Sequence, residues 1–525
     1  MDRYKNLIPP IVLLFLSVAI AVYFRPLMII DETRYISVAW EMYSSGNYLV
    51  PHLNGLPYDH KPPLLFWIIV TIWKIFGVNE LVVRFIPFVF GAGLIIVGAK
   101  IYKLLFNDDK EGVELFGYVM VAMVVFVFYS TLLMFDIMLS FFVALAIYGG
   151  LKALIDDKFS SYLILTLAIG FGILAKSPVI LAHLLPLYLF AAIYSPKKVK
   201  FSFYIKGLLA VIFGIAIALI WAVPAAKAGG EEFAYGIFWG QYAGRAVNAF
   251  AHKRSFWWYL PWIPIILMPW ILYKGFFKGV SKIFKAKLDF GVKAILTWLI
   301  GSFIIFSLIS GKQLAYIAPE FLAFALFATR ALSLNKDTFK PYTIALVYLI
   351  IAIALFIAPL LIKGYFKIYL DTTAFIVSGI LLSLYALYLA LYNFKSKKSV
   401  IKAISIGATL LIFVLHYTIH LYLKSQDLTN FSKEISKLQN SGIKVAHFGK
   451  YHNQYHYIGR LKKPLIILKN SKEIDTYIKN NPNGAIVTYK TRDVKFNKNA
   501  VIATTKFRTQ NALLVKAKEW NKLLK

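Results

Sequence analysis

Cysteine is absent from the 525 residues, so no disulfide staples the fold and no thiolate serves as nucleophile or metal ligand. Acidic residues are scarce: 25 Asp and Glu stand against 58 Lys and Arg, a formal net charge of +33. Charged residues of both signs make up only 16% of the chain, too few to clothe a soluble protein of this length. What fills the sequence is apolar: 59% hydrophobic, 17% aromatic, mean hydropathy +0.66. These values describe a polytopic α-helical membrane protein. In a soluble chain the basic excess would suggest nucleic acid, but in a bilayer protein basic cytoplasmic loops explain it more simply.

A helix needs roughly 20 apolar residues to cross the hydrocarbon. Candidate runs lie near 7–24, 83–103, 113–132, 137–154, 161–175, 178–194, 207–224, 258–274, 294–310, 315–332, 342–362, 373–393 and 403–423, giving about thirteen transmembrane helices. The first run has no small-residue cleavage site and is expected to stay as an anchor. Arg3 and Lys5, Lys103 with Lys110, Lys152 with Lys158, Lys197 to Lys200, Lys274 to Lys293, Lys336 with Lys340 and Lys395 to Lys402 then share one face. The positive-inside rule makes that face cytoplasmic. Asp31–Pro63, Lys176, Gly229–Trp257, Gly311–Tyr316 and Lys363–Asp371 fall outside, in a bacterium the periplasm. The apolar stretch Leu64–Phe76 is short, carries Lys74 and follows Pro62-Pro63, so it reads as an interfacial helix.

The expected division is a transmembrane domain over 1–423, with a periplasmic active-site loop at 25–80, and a periplasmic α/β domain over 424–525. The tail is lysine-rich, with short strand-like runs at Lys444–Phe448, Pro464–Leu468, Ala485–Tyr489 and Ala500–Thr505 and a turn at Asn481-Pro482-Asn483-Gly484. Its His447, His452 and His456 lack nearby carboxylates and are expected at the surface, not at a metal.

Polar residues in a chain this apolar have to face water or line a site. Asp31 and Glu32 directly follow the first span, where the structural alternative is capping a helix over Thr33–Tyr43. Asp136 follows the third span, and a carboxylate at a membrane boundary is costly unless hydrated or paired. Lys61 sits in the rigid turn Tyr58-Asp59-His60-Lys61-Pro62-Pro63; a lysine suits a phosphate, and snorkelling to headgroups is its alternative. Lys176-Ser177-Pro178, Gln241 to Arg245, His252-Lys253-Arg254 and Gly311-Lys312 add cations on the same face. Phe256-Trp257-Trp258-Tyr259 reads as an interface belt.

The acidic pair with Arg34-Tyr35, then Glu41-Met42, Gly46, Pro51, Asn54-Gly55, Tyr58, Lys61-Pro62-Pro63-Leu64 and Asn79-Glu80 with Arg84, resembles the lipid A aminoarabinose transferases. These sit within the polyprenyl-phosphate-dependent C-type glycosyltransferases that include the protein O-mannosyltransferases. The resemblance is densest over residues 25–95, with echoes at Asp136, Ala175 to Pro178, Phe256 to Tyr259 and Gly311 to Pro319. It implies a C-type glycosyltransferase fold of about thirteen membrane helices with an outer tail, as the charge pattern also does. It implies that Asp31 is the catalytic carboxylate, with Glu32 beside it, and that Asp136 is a second functional acid. It implies further that Lys61, Tyr58, Tyr35 and Tyr316 line the carrier phosphate and that Arg245 binds it. Relatives carry Glu where this chain has His60, and that Glu is associated with a divalent metal; imidazole also ligates zinc, which makes His60 the metal candidate.

The implied reaction moves a sugar from a polyprenyl (undecaprenyl) phosphate to lipid A or another envelope glycolipid, with inversion, at the bacterial inner membrane. The alternatives are a protein O-mannosyltransferase-like enzyme, whose usual large luminal insertion is missing, and a transporter or flippase for a lipid-linked anion. The flippase predicts an internal repeat and midplane polar residues. The sequence has no such repeat, and its candidate residues gather at one face.

Overall fold

The computed structural model describes residues 2–240, 253–362, 364–490 and 497–523. Among the described residues eight helices are long and apolar enough to cross a membrane, and a bent pair makes a ninth. They are Lys5–Phe24, Glu80–Leu105, Phe135–Asp156, Phe201–Gly229, Phe290–Leu308, Tyr342–Leu361, Thr372–Leu391 and Lys397–Thr418, and the pair Lys110–Ala122 and Val124–Ser130 bends by 69°. The chain is therefore a multi-pass helical membrane protein. The other four expected crossings fall on shorter helices at Phe159–Ala175, Ile180–Leu189, Phe256–Leu267 and Glu320–Leu334. Proline and polar breaks shorten them: Lys176-Ser177-Pro178 ends the first, and Pro319 precedes the last.

Near the N-terminus, α1 (Ile8–Phe24) leads through Arg25 to α2 (Asp31–Ser45). A two-stranded hairpin follows, β1 (His52–Leu53) with β2 (Leu56–Pro57), then α3 (Leu64–Phe76), α4 (Glu80–Val83) and α5 (Ile86–Leu105). Helix α3, one of the shorter apolar helices, lies on α2 and buries Leu65, Phe66, Ile69, Val70 and Trp73, one face of a helix. The bent pair forms α6 (Lys110–Ala122) and α7 (Val124–Ser130), followed by α8 (Phe135–Asp156). Most of α8 is buried inside the protein, whereas Tyr342–Leu361 is largely exposed, so α8 is central and the latter faces lipid.

The tail folds as a five-stranded sheet in the order β4-β3-β5-β7-β6, with β3 (Val445–Phe448), β4 (Ile466–Leu468), β5 (Ala485–Lys490), β6 (Val501–Phe507) and β7 (Gln510–Lys516). The first three strands are parallel, while β7 runs antiparallel to both neighbours. The four expected strands are present. The fifth, β7, pairs through a tight turn at Arg508 (φ 54°) that carries no glycine to announce it.

The segment between β3 and β4 bolts the tail to α2 and the hairpin. Ser37 Oγ donates to the Asn453 carbonyl at 2.7 Å and accepts from the Tyr457 amide at 3.0 Å. Trp40 Nε1 donates to the Leu461 carbonyl at 2.8 Å, and Asn54 exchanges two bonds with Leu465 at 2.8 and 2.9 Å. Trp73 of α3 stacks flat on Tyr457, centroids 5.1 Å apart. Gly55 (φ 77°) lets the hairpin approach the tail, since a Cβ there would meet Pro464 at 2.8 Å.

The tail histidines are not at the surface, which corrects the sequence expectation. His447 and His456 are buried; His447 Nε2 lies 3.0 Å from the Tyr489 hydroxyl, and His456 Nδ1 lies 2.8 Å from that of Tyr451. Tyr455 and Gln454 reach the same Tyr489 hydroxyl at 2.8 and 2.7 Å. Tyrosines bring their own hydroxyl partners, which makes burial of the imidazoles tolerable.

Candidate active site

The path from α1 to α2 contains one strained residue. Ile30, β-branched, sits at φ 75°, with its amide donating to Thr33 Oγ1 at 2.9 Å. The kink makes Asp31 the first residue of α2, not its cap. Asp31 is partly exposed and lies 3.6 Å from Arg34 on the next turn. Arg34 also donates to the Tyr35 hydroxyl at 3.3 Å and stacks over its ring. Burial pushes the Tyr35 hydroxyl up to about 12; Arg34 opposes this, and the charges of Asp136 and Asp31 add to it.

Asp136 lies in the first turn of α8, buried, with Lys176 Nζ 2.5 Å from Oδ1. Lys176 also lies over the Tyr316 ring, 5.4 Å from its centroid. Phe135, one residue before Asp136, is the hub of the cluster. Tyr35 meets its ring at 4.8 Å, Phe66 at 5.7 Å, and Lys61 Nζ lies 5.7 Å from its centroid. Tyr58 packs on Phe66 and on His60. Thus α2, the Tyr58–Pro63 turn, α8, Lys176 and the Leu314–Ile317 helix bring Asp31, Tyr35, Tyr58, Lys61, Asp136 and Tyr316 into one cluster. Arg245 lies outside the described residues.

Glu32 has a different place from its neighbour. Fully buried, it forms an ion pair with Arg25, and its oxygens accept from the amides of Met28 and Leu133, each at 2.7 Å. Burial pushes its carboxyl up, but Arg25, Arg84 and the Met28 amide overcome that and hold it below the ordinary range. Arg25 also donates to the Thr131 carbonyl at 3.0 Å. Arg84 caps the end of α1 through the Arg25 carbonyl at 2.6 Å and the Val22 carbonyl at 3.3 Å, steadied by Glu80 at 3.1 Å. Glu32 therefore ties the start of α2 to the 131–133 segment that delivers Asp136.

Lys312 likewise works inside the fold. Buried, it donates to the carbonyls of Ile309 at 2.5 Å and Arg254 at 3.2 Å, clasping the loop that presents Tyr316. His60 has Asp59 at 3.6 Å. Among the described residues no group of three or more His, Asp or Glu converges that could hold a metal ion.

Sequence reasoning gave Arg34 no role, although its place three residues after Asp31 puts both on one helix face. It also did not see that Lys176 pairs with Asp136, 40 residues apart in the chain.

Residues 60–221 match the family described as dolichyl-phosphate-mannose-protein mannosyltransferase. The undecaprenyl phosphate-alpha-4-amino-4-deoxy-L-arabinose arabinosyl transferase of Enterobacter sp. (strain 638) is 30% identical over 58% of this chain and 56% of its own length. The same-named protein of Serratia proteamaculans (strain 568) is 29% identical over 55% and 52%. The chain thus spans little more than half the length of the curated relatives it matches. The crystal structure of ArnT from Cupriavidus metallidurans bound to undecaprenyl phosphate superposes with a TM-score of 0.75 at 17% identity, covering 97% of both chains. Its apo form gives 0.71 at 18% identity. In sequence over more than half its length, and in fold throughout, the chain resembles the undecaprenyl-phosphate aminoarabinose transferases among the polyprenyl-phosphate-dependent C-type glycosyltransferases.

Proposed function

We propose that this protein is an inner-membrane glycosyltransferase that moves a sugar from undecaprenyl phosphate, or a similar polyprenyl phosphate, to lipid A or another envelope glycolipid. The observation that carries the reading is the gathering of the Asp136–Lys176 pair, Lys61 and Tyr35 at Phe135, with Tyr58 on the neighbouring Phe66 and Asp31 joined to Tyr35 through Arg34. It supplies carboxylates for an acceptor and cations for a phosphate within one cluster. The relatives named above, and the match over residues 60–221, support it.

In this reading an acceptor oxygen attacks the anomeric carbon as the bond from that carbon to the carrier phosphate breaks. The polyprenyl phosphate leaves with the electron pair, and the anomeric configuration inverts. A phosphate leaving group needs its developing charge neutralised more than it needs a proton, which is the role given to Lys61 and Arg245, with Tyr58, Tyr35 and Tyr316 lining the carrier. Asp31 takes the proton of a hydroxyl acceptor, or orients an acceptor that is itself a phosphate. Asp136, neutralised by Lys176, is the second acid, and Glu32 acts through position alone.

The site faces the periplasm in a topology of thirteen crossings, with the four short helices completing the count. The chain then divides into a membrane domain over 1–423 and a periplasmic domain over 424–525. Single cysteines at Asn54 and Lys282 test this in a chain that has none: an impermeant thiol reagent on intact spheroplasts should label 54 and spare 282. The activity test is purified protein with undecaprenyl-phosphate-linked aminoarabinose and lipid A, read by mass spectrometry. Added sugar mass on lipid A is expected. Transfer to a peptide hydroxyl instead would favour the O-mannosyltransferase-like alternative, and donor movement across a bilayer without transfer would favour a flippase.

A further inference from the structure

On the side of the molecule that the topology makes cytoplasmic lies the short helix Lys274–Lys285, KGFFKGVSKIFK. Its 12 residues rise about 18 Å, too short to cross, and it packs against Glu320–Leu334. The contact is backbone-close: a Cβ at Gly279 would meet the Ala331 carbonyl oxygen at 1.7 Å. Gly275, Phe276, Gly279 and Ile283 are buried there.

The remaining surface splits into two stripes. Phe277 and Phe284 are 55% and 57% exposed, and at about 100° per residue they lie within about 20° of each other. Lys274, Lys278, Lys282 and Lys285, all exposed, fall within one sector of about 80° beside them. Lys287 follows, also exposed, and no acidic residue interrupts 274–288. Lys278 is shared with Asp337 at 3.1 Å, and Lys282 with the Leu334 carbonyl at 3.1 Å, each ammonium keeping further donors. Asp289, the next acid in sequence, is paired with Arg330 at 2.8 Å.

We infer that this helix is a binding surface for anionic phospholipid headgroups. The phenylalanines enter the acyl boundary, the lysines take the headgroup phosphates, and the buried stripe stays on the protein. A basic face next to an apolar one, on a helix too short to cross, is complementary to an anionic leaflet and to little else in a bilayer. Through Gly279 the lipid contact is transmitted without slack to Glu320–Leu334, whose other end follows Tyr316. The lipid assignment rests on the cytoplasmic placement proposed above.

The test is amide hydrogen exchange of the full-length protein in nanodiscs of phosphatidylcholine alone, or with about a third phosphatidylglycerol. Exchange across 276–288 should slow at least about threefold in the anionic discs, and lose that difference in high salt. Lys285→Gln with Lys287→Gln, surface changes that leave the packing stripe intact, should abolish the difference. Phe277→Ser with Phe284→Ser should speed exchange in both lipids. Equal exchange in the two lipids for the unmodified protein would overturn the lipid site. So would slowing that appears only when two copies share a disc, whatever the lipid. Labelling of Ser281→Cys from the outer face would refute the cytoplasmic placement separately.

Discussion

The two ends of α2 carry carboxylates in opposite situations. At its start Asp31 is partly exposed and, among the described residues, has one cation, at 3.6 Å, leaving most of its hydrogen-bonding capacity unspent there. At its far end Glu41 accepts from the amides of Asn54 and Gly55 at 2.7 and 2.9 Å and from the Asn453 side chain, with His456 4.0 Å away. Both were visible in the sequence as acids beside a loop. Only the count of donors already committed separates a carboxylate available for chemistry from one that holds two parts of the protein together. Glu32, saturated by Arg25 and two amides, belongs with Glu41 despite adjoining Asp31.

The sharpest way to break the contrast is Asp31→Asn. The amide keeps the shape and loses the charge, so transfer should fall about 10²- to 10⁴-fold while the protein still inserts and folds. Near-normal turnover in the purified variant would return Asp31 to a structural role.

Glu32→Ala should do the reverse. It leaves Arg25 buried without its counter-charge, at a cost of about 3–5 kcal/mol, seen as lost yield and a lower unfolding midpoint in detergent. A variant as stable as the parent but inactive would put Glu32 among the catalytic groups instead.

Lys61→Ala should cost transfer roughly 30-fold to several thousand-fold, equivalent to about 2–5 kcal/mol, with Lys61→Arg restoring part of it. A lysine that only snorkels would lose little. Activity within about threefold of the parent at limiting and saturating donor would remove the phosphate role.

The smallest effect is expected from pH at the tail joint. Burial drives His447 and His452 down to about 4 and His456 to about 3, the latter two facing Arg34 and Glu41 respectively. A histidine kept neutral this way binds fewer protons folded than unfolded. Its stabilisation is present above the ordinary 6.5 and drains away as pH falls toward the depressed value. Glu41, raised by burial against its hydrogen bonds, works the other way, contributing most below its ordinary 4.5. The histidines outnumber it, so limited proteolysis of the tail should quicken progressively below about pH 6.5. Unchanged cleavage between pH 7 and 5 would contradict the joint as described.

Much of this was legible in the chain because membranes simplify the code. Apolar length located the long helices, and Pro62-Pro63 marked where α3 begins. The helices at Phe159–Ala175 and Glu320–Leu334 showed the limit, since hydropathy does not resolve where a proline or a lysine breaks a run. In the site, the candidates within 31–63 are local in the chain, whereas Lys176 on Asp136 depends on packing between segments 40 residues apart and Arg25 on Glu32 on the turn between α1 and α2. The buried histidines were misread for the same reason: their tyrosine partners come from several turns and strands, and spacing alone does not assemble them.

The bond between Ser37 and Asn453 joins residues 416 positions apart, and it has a consequence in time. At roughly 5–20 residues per second, the ribosome adds Asn453 about 20–80 seconds after it adds Ser37. Until that segment is made, α2 has its N-terminal staple but lacks the bonds of Ser37 and Trp40 to the tail. Synthesis of the 453–465 segment is thus the event that seats the helix bearing Asp31, and a polypeptide stalled before it would leave Ser37 and Trp40 without their tail partners.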